Sequence, residues 1–238
     1  MNIEAAIRRP RPLKIMADDF WLLKKSGAFA AYSKSELIDG EMWGVPIQDE
    51  DEPESDAVFP IKLRVSDYER LCEAGSFEAQ RRTELIDGLV YPMNPQYRPH
   101  GFAKDELAYR LRIVLERIGS NLHVATEQSV AMPPHDEPEP DIILTTAPRG
   151  PGAIPGESVA LLAEVSASTS DFDLNDKARA YAAFGIPEYW VVDIDRAVIH
   201  QMWHPNADDY AKREEVPFGA TIHAVTIEGL FIETAGLS

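Results

Sequence analysis

Residues 161–166 read Leu-Leu-Ala-Glu-Val-Ser, and residues 139–144 read Glu-Pro-Asp-Ile-Ile-Leu. Each stretch places one carboxylate, Glu164 or Asp141, against a short apolar run that is typical of a buried strand. An unpaired charge is costly in such a place, so both carboxylates need compensation. A shared Mg²⁺ or Mn²⁺ would provide it, because these cations take oxygen ligands. The two stretches therefore predict a metal centre between two strands.

A lysine on the following predicted helix is expected to face the same place. Leu174, Ala178 and Tyr181 recur at helical spacing, and Lys177 lies beside this apolar stripe. Asp173 precedes Lys177 by four residues, so it would either hold the ammonium in position or form an exposed salt bridge on the helix surface. The pattern predicts a lysine directed at the two carboxylates.

Each of these residues also fits a purely structural role. Asp141 could be an edge-strand residue in water, Glu164 could pair with an arginine, and Lys177 could extend into solvent from the flank of its helix. The order Pro-Asp, then Glu-Val-Ser, then a helical lysine is much more specific than any of the three alone.

The sequence around these residues resembles one known family. The run Glu164–Ser170, followed by Asp173, Lys177 and the segment Tyr181–Asp193 with its centre Gly-Ile-Pro-Glu-Tyr-Trp, is similar to the bacterial Uma-two family of endonucleases in the PD-(D/E)XK nuclease-like group. The resemblance extends from about residue 66 to residue 198. It implies a restriction-endonuclease-like α/β core, in which helices flank a central mixed sheet, and a Mg²⁺- or Mn²⁺-dependent hydrolysis of phosphodiester bonds in DNA.

The resemblance also implies roles for individual residues. Asp141, Glu164 and the main-chain carbonyl of Val165 would hold the metal, and Glu84 would be an upstream acidic ligand. Lys177 would orient the attacking water and stabilise the transition state. Glu84 also fits a simpler role, in which its side chain bonds to main chain at the start of a hairpin.

The chain departs from the short form of the family motif. There the lysine lies two residues after the acid, a position that Ser166 occupies in this sequence. The amino group would therefore come from Lys177. Where many relatives have proline after Glu-Val-Ser, this chain has Ala167, which affects the local turn.

Asp173, Gln128 and His100 are auxiliary candidates. His100 stands at the start of a predicted long helix, where a histidine is also typical of a surface residue or a cap. Gln128 is expected on the strand before Asp141, where it would touch the site or serve as a half-buried amide bonded to main chain.

Periodicity predicts an alternation of helices and strands. Helices are expected at about 67–74, 101–118 and 171–184, and strands at 84–91 (a hairpin turning at Asp87-Gly88), 123–132, 141–145, 159–165, 188–194 and 198–203, with short edge strands at 210–214 and 221–225. This order favours an α/β sandwich around a mixed sheet.

Composition favours a soluble, cytoplasmic protein. The chain has 238 residues, of which 45% are hydrophobic and 26% charged, enough for one substantial core. No apolar run reaches the length of roughly 18 residues that is typical of a membrane span, and no signal-type apolar region follows the basic N-terminus. The single cysteine, Cys72, excludes an intrachain disulfide and a thiol-rich metal site.

The charge balance opposes tight DNA binding. Forty acidic and 23 basic residues give a net charge of −17, whereas proteins that bind the phosphate backbone usually present a basic surface. A local basic face remains open between two acidic stretches, from Arg81, Arg82, Arg98, Lys104, Arg110, Arg112 and Arg117. Two alternatives therefore stand beside a DNA endonuclease: a weak or inactive dimeric binding module for a basic protein, and a nuclease acting on RNA or a small phosphate substrate.

The first quarter of the chain contains a duplication. Residues 29–40 and 77–88 both end in Glu-Leu-Ile-Asp-Gly, and Asp19, Leu23 and Gly27 recur at the same offset of 48 residues. We expect residues 1–57 to form an N-terminal extension, with a helix-hairpin and an acidic linker at 48–56, before a nuclease-like domain at 58–238. A lone hairpin is marginal in water, so the first copy should dock on the sheet edge of the core or on the second subunit of a homodimer.

Overall fold

The computed structural model describes residues 10–48, 56–93, 96–167 and 170–237. The chain divides into two compact units. The repeat unit is Arg11–Met93 with Pro133–Asp136, and the main unit is Met1–Pro10, Asn94–Met132 and Glu137–Ser238. The two copies pack on each other within the repeat unit, and the domain boundary expected at residue 57 stays a prediction. Most of the predicted acidic linker lies outside the described residues.

The repeat unit contains two helix-hairpin motifs in tandem. Its elements are α1 (Ala17–Ser26), β1 (Tyr32–Ile38), β2 (Glu41–Pro46), β3 (Phe59–Pro60), α2 (Val65–Glu73), a 3₁₀ turn (Glu78–Gln80), β4 (Thr83–Ile86) and β5 (Leu89–Pro92). Strands β1, β2 and β3 form one antiparallel sheet, and β4 pairs with β5. The predicted turn at Asp87-Gly88 is confirmed: both residues have positive φ, the conformation that a type I′ hairpin requires and that Asp-Gly favours.

The main unit is built on a six-stranded sheet. Its elements are α3 (Arg98–Arg117), β6 (His123–Thr126), β7 (Val130–Ala131), β8 (Ile142–Thr145), β9 (Ile154–Pro155), a 3₁₀ turn (Gly156–Ser158), β10 (Val159–Ser166), α4 (Ser170–Phe172), a π-helical turn (Asp173–Lys177), α5 (Ala178–Phe184), β11 (Glu188–Asp193), β12 (Val198–Pro205), β13 (Tyr210–Pro217), β14 (Thr221–His223) and β15 (Phe231–Glu233). The strand order is β13-β12-β11-β10-β8-β6. Strands β10 and β11 run parallel and the other neighbours are antiparallel, so the predicted mixed sheet is confirmed.

Hydrophobic side chains cover both faces of this sheet. On one face Leu107, Leu111 and other residues of α3 pack against Leu144 and Leu161. On the opposite face Ala178 and Tyr181 belong to a second cluster with Ile143, Leu162, Tyr189 and Val191. The central strands are therefore buried on both sides, which explains why their sequences read as continuous apolar runs.

Three elements differ from the sequence-based prediction. Helix α3 begins at Arg98 instead of residue 101, because Pro99 is tolerated in the first turn of a helix. The strand expected at 123–132 is interrupted at Glu127, which has a φ of 52°. Strand β13 has eight residues and pairs with β12 along its length, so it is longer than the short edge strand that was predicted.

Glu188 is a fully buried carboxylate of the main unit, and its hydrogen bonds give it a structural role. Oε1 of Glu188 accepts hydrogen bonds from the Trp190 indole and the Gln201 amide, both at 2.7 Å. Oε2 accepts from the main-chain N–H and the hydroxyl of Thr226, both at 2.8 Å. Four donors compensate the charge, so Glu188 ties the segment after β14 to the sheet.

Candidate active site

Two carboxylates of the main unit lie side by side on the sheet. Ile142 of β8 pairs with Ala163 of β10, and one step further this antiparallel register sets Asp141 opposite Glu164 on the same face. The main-chain N–H of Val165 donates to Oδ2 of Asp141 at 2.8 Å, and the N–H of Asp141 lies 3.4 Å from Oε2 of Glu164. Both side chains are buried, with 6% and 5% of each residue exposed. The register explains how residues 23 positions apart form one acidic pair.

Lys177 and Tyr181 bind Glu164 from the helical segment that covers this face. The Lys177 ammonium and the Tyr181 hydroxyl each donate to Oε1 of Glu164 at 2.9 Å. They are four residues apart and therefore share one side of the helix. Lys177 ends the π-helical turn, a feature that occurs frequently at functional sites, and only 4% of it is exposed. Tyr181 therefore holds the Glu164 end of this buried ion pair, and the π-helical turn holds the Lys177 end.

Asp141 is held by polar groups at the start of α3. Nε2 of His100 lies 3.0 Å from Oδ2 of Asp141, and the Gln96 amide donates to Oδ1 at 3.0 Å. Lys104 continues the network, because its ammonium donates to Oε1 of Gln96 and to Oε1 of Glu127, both at 2.7 Å. A continuous polar chain therefore runs from Glu127 through Lys104 and Gln96 to Asp141.

These contacts determine the charge of Asp141. Burial is the largest single influence and by itself raises the pKa of Asp141. The hydrogen bond and charge of His100, the N–H of Val165 and the charge of Lys177 together outweigh it and hold the pKa below its ordinary value. Asp141 is therefore an ionised carboxylate at neutral pH.

The structure brings most of the expected site residues together. Asp141, Glu164, Val165, Lys177 and His100 lie in one connected network of the main unit.

The remaining candidates lie elsewhere. Asp173 is buried in the π-helical turn, and its main-chain carbonyl accepts the Tyr189 hydroxyl at 3.2 Å. Gln128 is exposed in the connection between β6 and β7, so its expected position on a strand is wrong. Glu84 is buried on β4 of the repeat unit. The functional roles suggested for Asp173, Gln128 and Glu84 stay predictions.

Sequence reasoning missed four members of the network: Gln96, Lys104, Glu127 and Tyr181. Two of them carried a usable signal. Gln96 lies before the start of α3, whereas Tyr181 follows Lys177 by four residues and Lys104 follows His100 by four. Four-residue spacing repeats one side of a helix, so Tyr181 and Lys104 could have been grouped with the known candidates. Glu127 stands at a strand interruption, for which no periodic signal exists.

The oxygen donors of this site suit a hard cation whose remaining ligands are water or substrate phosphate. Among the described residues no group of three His, Cys, Asp or Glu side chains is arranged to hold a metal. The oxygen donors available are the adjacent carboxylates of Asp141 and Glu164 and the main-chain carbonyl of Val165. Mg²⁺ is commonly bound by one or two carboxylates with water or substrate phosphate completing its shell, so these residues fit it.

Comparison with known families then identifies the kind of protein. A family model named Uma2, described as "Putative restriction endonuclease", matches residues 65–235. The chain belongs to the Uma2 family. The matched residues include the whole Asp141–Glu164–Lys177 network, as the sequence resemblance predicted. They begin at the second of the two tandem copies, so the first copy lies outside the Uma2 match.

The chain is also similar to a solved structure. A crystal structure described as "a putative nuclease belonging to DUF820" from Anabaena variabilis ATCC 29413 is 14% identical, with a TM-score of 0.47, over 60% of this chain and 80% of that one. No curated protein matches this Uma2 member. Within the described part of the chain, no helix is both long and apolar enough to cross a membrane.

Proposed function

We propose that this chain is a divalent-metal-dependent endonuclease that hydrolyses phosphodiester bonds of DNA. The observation that carries the proposal is the buried pair of Asp141, directly before β8, and Glu164 of β10, with the Lys177 ammonium on Glu164. Membership of a family described as restriction endonucleases supports the reaction class.

Asp141, Glu164 and the Val165 carbonyl would hold Mg²⁺ or Mn²⁺, with Glu84 as a proposed upstream ligand. Once bound, the ion would lower the pKa of a coordinated water and neutralise charge on the attacked phosphate. The protein positions these ligands in advance. The Val165 N–H and His100 fix one oxygen of Asp141, and Tyr181 fixes one oxygen of Glu164. Preorganised ligands lose little freedom on binding, so metal affinity should depend on these donors.

Lys177 supplies the positive charge of the site. Its ammonium is anchored to Glu164 at 2.9 Å and is buried, so its direction is set before substrate arrives. Charge develops on the phosphate oxygens in the transition state, and a fixed ammonium in a site of low dielectric constant stabilises that charge more than water does. Lys177 is also able to orient the attacking water through its remaining N–H groups. We assign it the role of transition-state stabiliser.

His100 and Lys104 are proposed positioning residues. His100 fixes Asp141, and its Nδ1 atom is buried and without a hydrogen-bond partner among the described residues. A buried polar atom without a partner is costly, so a hydrogen bond between Nδ1 and bound water or substrate would be favourable there. Lys104 acts through Gln96 on Asp141. Both residues contact metal ligands directly or through one intermediary, so their removal should affect binding as well as rate.

Affinity for DNA has to overcome the acidic character of the chain. Net charge is −17, and two of the seven basic residues expected to form a local face are already paired, Lys104 with Glu127 and Arg110 with Glu106. Arg98, Arg112 and Arg117 remain exposed on α3. Each phosphate contact adds to the salt dependence of binding, so DNA affinity should be modest and should fall with salt only in proportion to the few contacts made. Cytoplasmic location and homodimerisation are proposed along with this substrate.

The function can be tested by cleavage of supercoiled plasmid in Mg²⁺ or Mn²⁺, with EDTA as the metal-free arm. Wild type should produce nicked and linear DNA only with metal, and Asp141→Asn should lose this activity. Lys177→Met should reduce the rate about 10²–10³-fold, by analogy with loss of one preorganised transition-state donor, while it retains Mn²⁺ affinity. Glu164→Gln should weaken Mn²⁺ binding itself in calorimetric titration. Lys14→Met, which removes an exposed lysine of the repeat unit, is the matched control.

The same assay distinguishes the substrate classes. A single-stranded RNA oligonucleotide and the small diester bis(p-nitrophenyl) phosphate are run in parallel with plasmid. Cleavage of RNA or the small diester alone, abolished by Asp141→Asn, would reject DNA as substrate but retain the site. Absence of metal-dependent cleavage on every substrate would reject the enzyme and leave the binding-module alternative.

A further inference from the structure

The two tandem motifs share their order of a helix followed by a hairpin, and their hairpin turns have the same conformation. We call residues 12–45 the first copy and residues 60–93 the second copy; each position of the first copy corresponds to the position 48 higher in the second. Both begin with similar sequences, Pro-Leu-Lys-Ile and Pro-Ile-Lys-Leu. The hairpin turns match, because φ is 49° and 77° at Asp39 and Gly40 and 51° and 72° at Asp87 and Gly88. The duplication seen in the sequence is therefore a duplication of structure.

Equivalent ion pairs brace each copy. Lys14 pairs with Asp39 at 2.6 Å, and Lys62 pairs with Asp87 at the corresponding positions. These contacts are local to each copy and exposed. Each pair lies within one copy, so the contacts between copies can be considered separately.

The contacts between copies are reciprocal. The N–H of Leu13 donates to the Val90 carbonyl at 2.7 Å, and the N–H of Ile61 donates to the Met42 carbonyl at 2.8 Å. Leu13 corresponds to Ile61 and Met42 corresponds to Val90, so each bond becomes the other when the copies are exchanged. Exchange of identical contacts is the property of a twofold, isologous interface between two subunits. The repeat unit has this property within one chain.

The shared core has the same symmetry. Ile15, Phe20, Leu23, Phe29 and Met42 of the first copy are buried in one hydrophobic cluster with their equivalents Leu63, Tyr68, Leu71, Phe77 and Val90. Leu23 and Leu71 are both fully buried, with no exposed surface. A single helix-hairpin cannot bury such a face by itself. Each copy therefore serves as the cover for the other.

The family comparison shows which copy is additional. The Uma2 match begins at residue 65, so it covers most of the second copy and none of the first. In a chain with only the matched region, the apolar face of the second copy would need another cover. We define this face by Ile61, Leu63, Leu71, Leu85 and Val90 and call it the homotypic face.

We infer that the homotypic face is a dimerisation surface for a second copy of this chain and that the first copy masks it as an internal substitute for the partner subunit. When the first copy is displaced, the Ile61 N–H of each chain would donate to the Val90 carbonyl of the other, in place of the Leu13–Val90 and Ile61–Met42 bonds. The exchanges Leu13 for Ile61 and Met42 for Val90 keep hydrophobic side chains of similar size, so the core can repack. The inference is independent of the proposed catalytic function.

The test displaces the first copy within the full chain. Leu23→Asp places a charge at a fully buried position of the first copy. Trp21→Asp is the matched control, since it adds the same charge to the same helix at a residue that is 54% exposed. Leu23→Asp/Leu71→Asp disrupts both copies. Molar mass is measured by light scattering over a dilution series, and trypsin cleavage at Lys24 reports release of the first copy.

Leu23→Asp should have twice the wild-type mass at high concentration and should dissociate on dilution, while Trp21→Asp and the double variant should keep the wild-type mass. If Leu23→Asp retains wild-type mass while Lys24 becomes cleavable, or if the double variant also doubles in mass, the inference is wrong. If Leu23→Asp does not fold, as judged by circular dichroism, Leu13→Pro replaces it, because proline removes the N–H that bonds to Val90. For Leu13→Pro too, an unchanged mass with a cleavable Lys24, or a doubled mass when Leu71→Asp is also present, would show that the inference is wrong.

Discussion

Lys177→Met should strongly destabilise the metal-free protein. Lys177 and Glu164 form a buried pair at 2.9 Å, with 6% of each side chain exposed. Methionine keeps the length of the side chain but removes the charge, so the Glu164 carboxylate would remain in a buried place without this ammonium. Removal of one partner of a buried pair costs about 3–5 kcal/mol. With a urea dependence of about 3 kcal/mol per M, the midpoint of unfolding should fall by roughly 1–2 M.

Two further variants isolate the charge effect. Lys14→Met breaks a pair with Asp39 at 2.6 Å in which 62% and 84% of the side chains are exposed, so it should cost about 1 kcal/mol or less. Lys177→Met/Glu164→Gln removes both charges and should recover most of the loss, because no buried ion remains uncompensated. Saturating Mn²⁺ should raise the urea midpoint of Lys177→Met as well, since the cation would compensate Glu164.

The assay is urea unfolding followed by far-ultraviolet circular dichroism at pH 7.5, with and without Mn²⁺. The reasoning would be refuted if Lys177→Met cost no more than Lys14→Met. It would also fail if the double variant were less stable than Lys177→Met, because the loss would then come from packing and not from an uncompensated charge.

Three other predictions concern single side chains of the main unit. Burial lowers the pKa of His200, so the unfolded chain binds this proton more readily than the folded chain does. The contribution of His200 to stability is therefore present above about pH 6.5 and is lost as pH falls. His200→Gln should flatten the profile of urea midpoint against pH between about pH 7 and 5. Glu188→Gln presents an amide N–H₂ to donors that now meet a carboxylate oxygen and should cost about 1–3 kcal/mol in urea unfolding. Tyr181→Phe removes one hydrogen bond to Glu164 and should weaken Mn²⁺ binding in calorimetry less than Glu164→Gln does; an equal loss would contradict the positioning role.

The sequence was sufficient for the sheet because its signals are local. The apolar runs around Asp141 and Glu164 predicted strands, and Gly185, with a φ of 96°, ends the helical segment after Phe184 as expected. The cost of burying two unpaired carboxylates supplied what periodicity cannot, namely that the two strands should share one site. Their register then places the carboxylates opposite each other.

The parts that sequence reasoning missed depend on contacts between distant residues. The polar chain through Gln96, Lys104 and Glu127 requires three separate segments to meet beside Asp141, and helical spacing alone does not show that they meet. Packing of the two copies on each other was missed for a similar reason. The duplication was visible, but a repeat in sequence does not show whether its members bind each other or separate partners.

The rate of plasmid nicking in Mg²⁺ by wild type and by Asp141→Asn, purified side by side, tests the central claim most directly. Asp141→Asn keeps the size of the side chain but removes the charge on which the proposed metal centre depends. Nicking by wild type that requires Mg²⁺, is abolished by EDTA and is lost in Asp141→Asn is the predicted result. Equal nicking by both proteins, or none by wild type, would contradict the assignment of Asp141, Glu164 and Lys177 as a nuclease site.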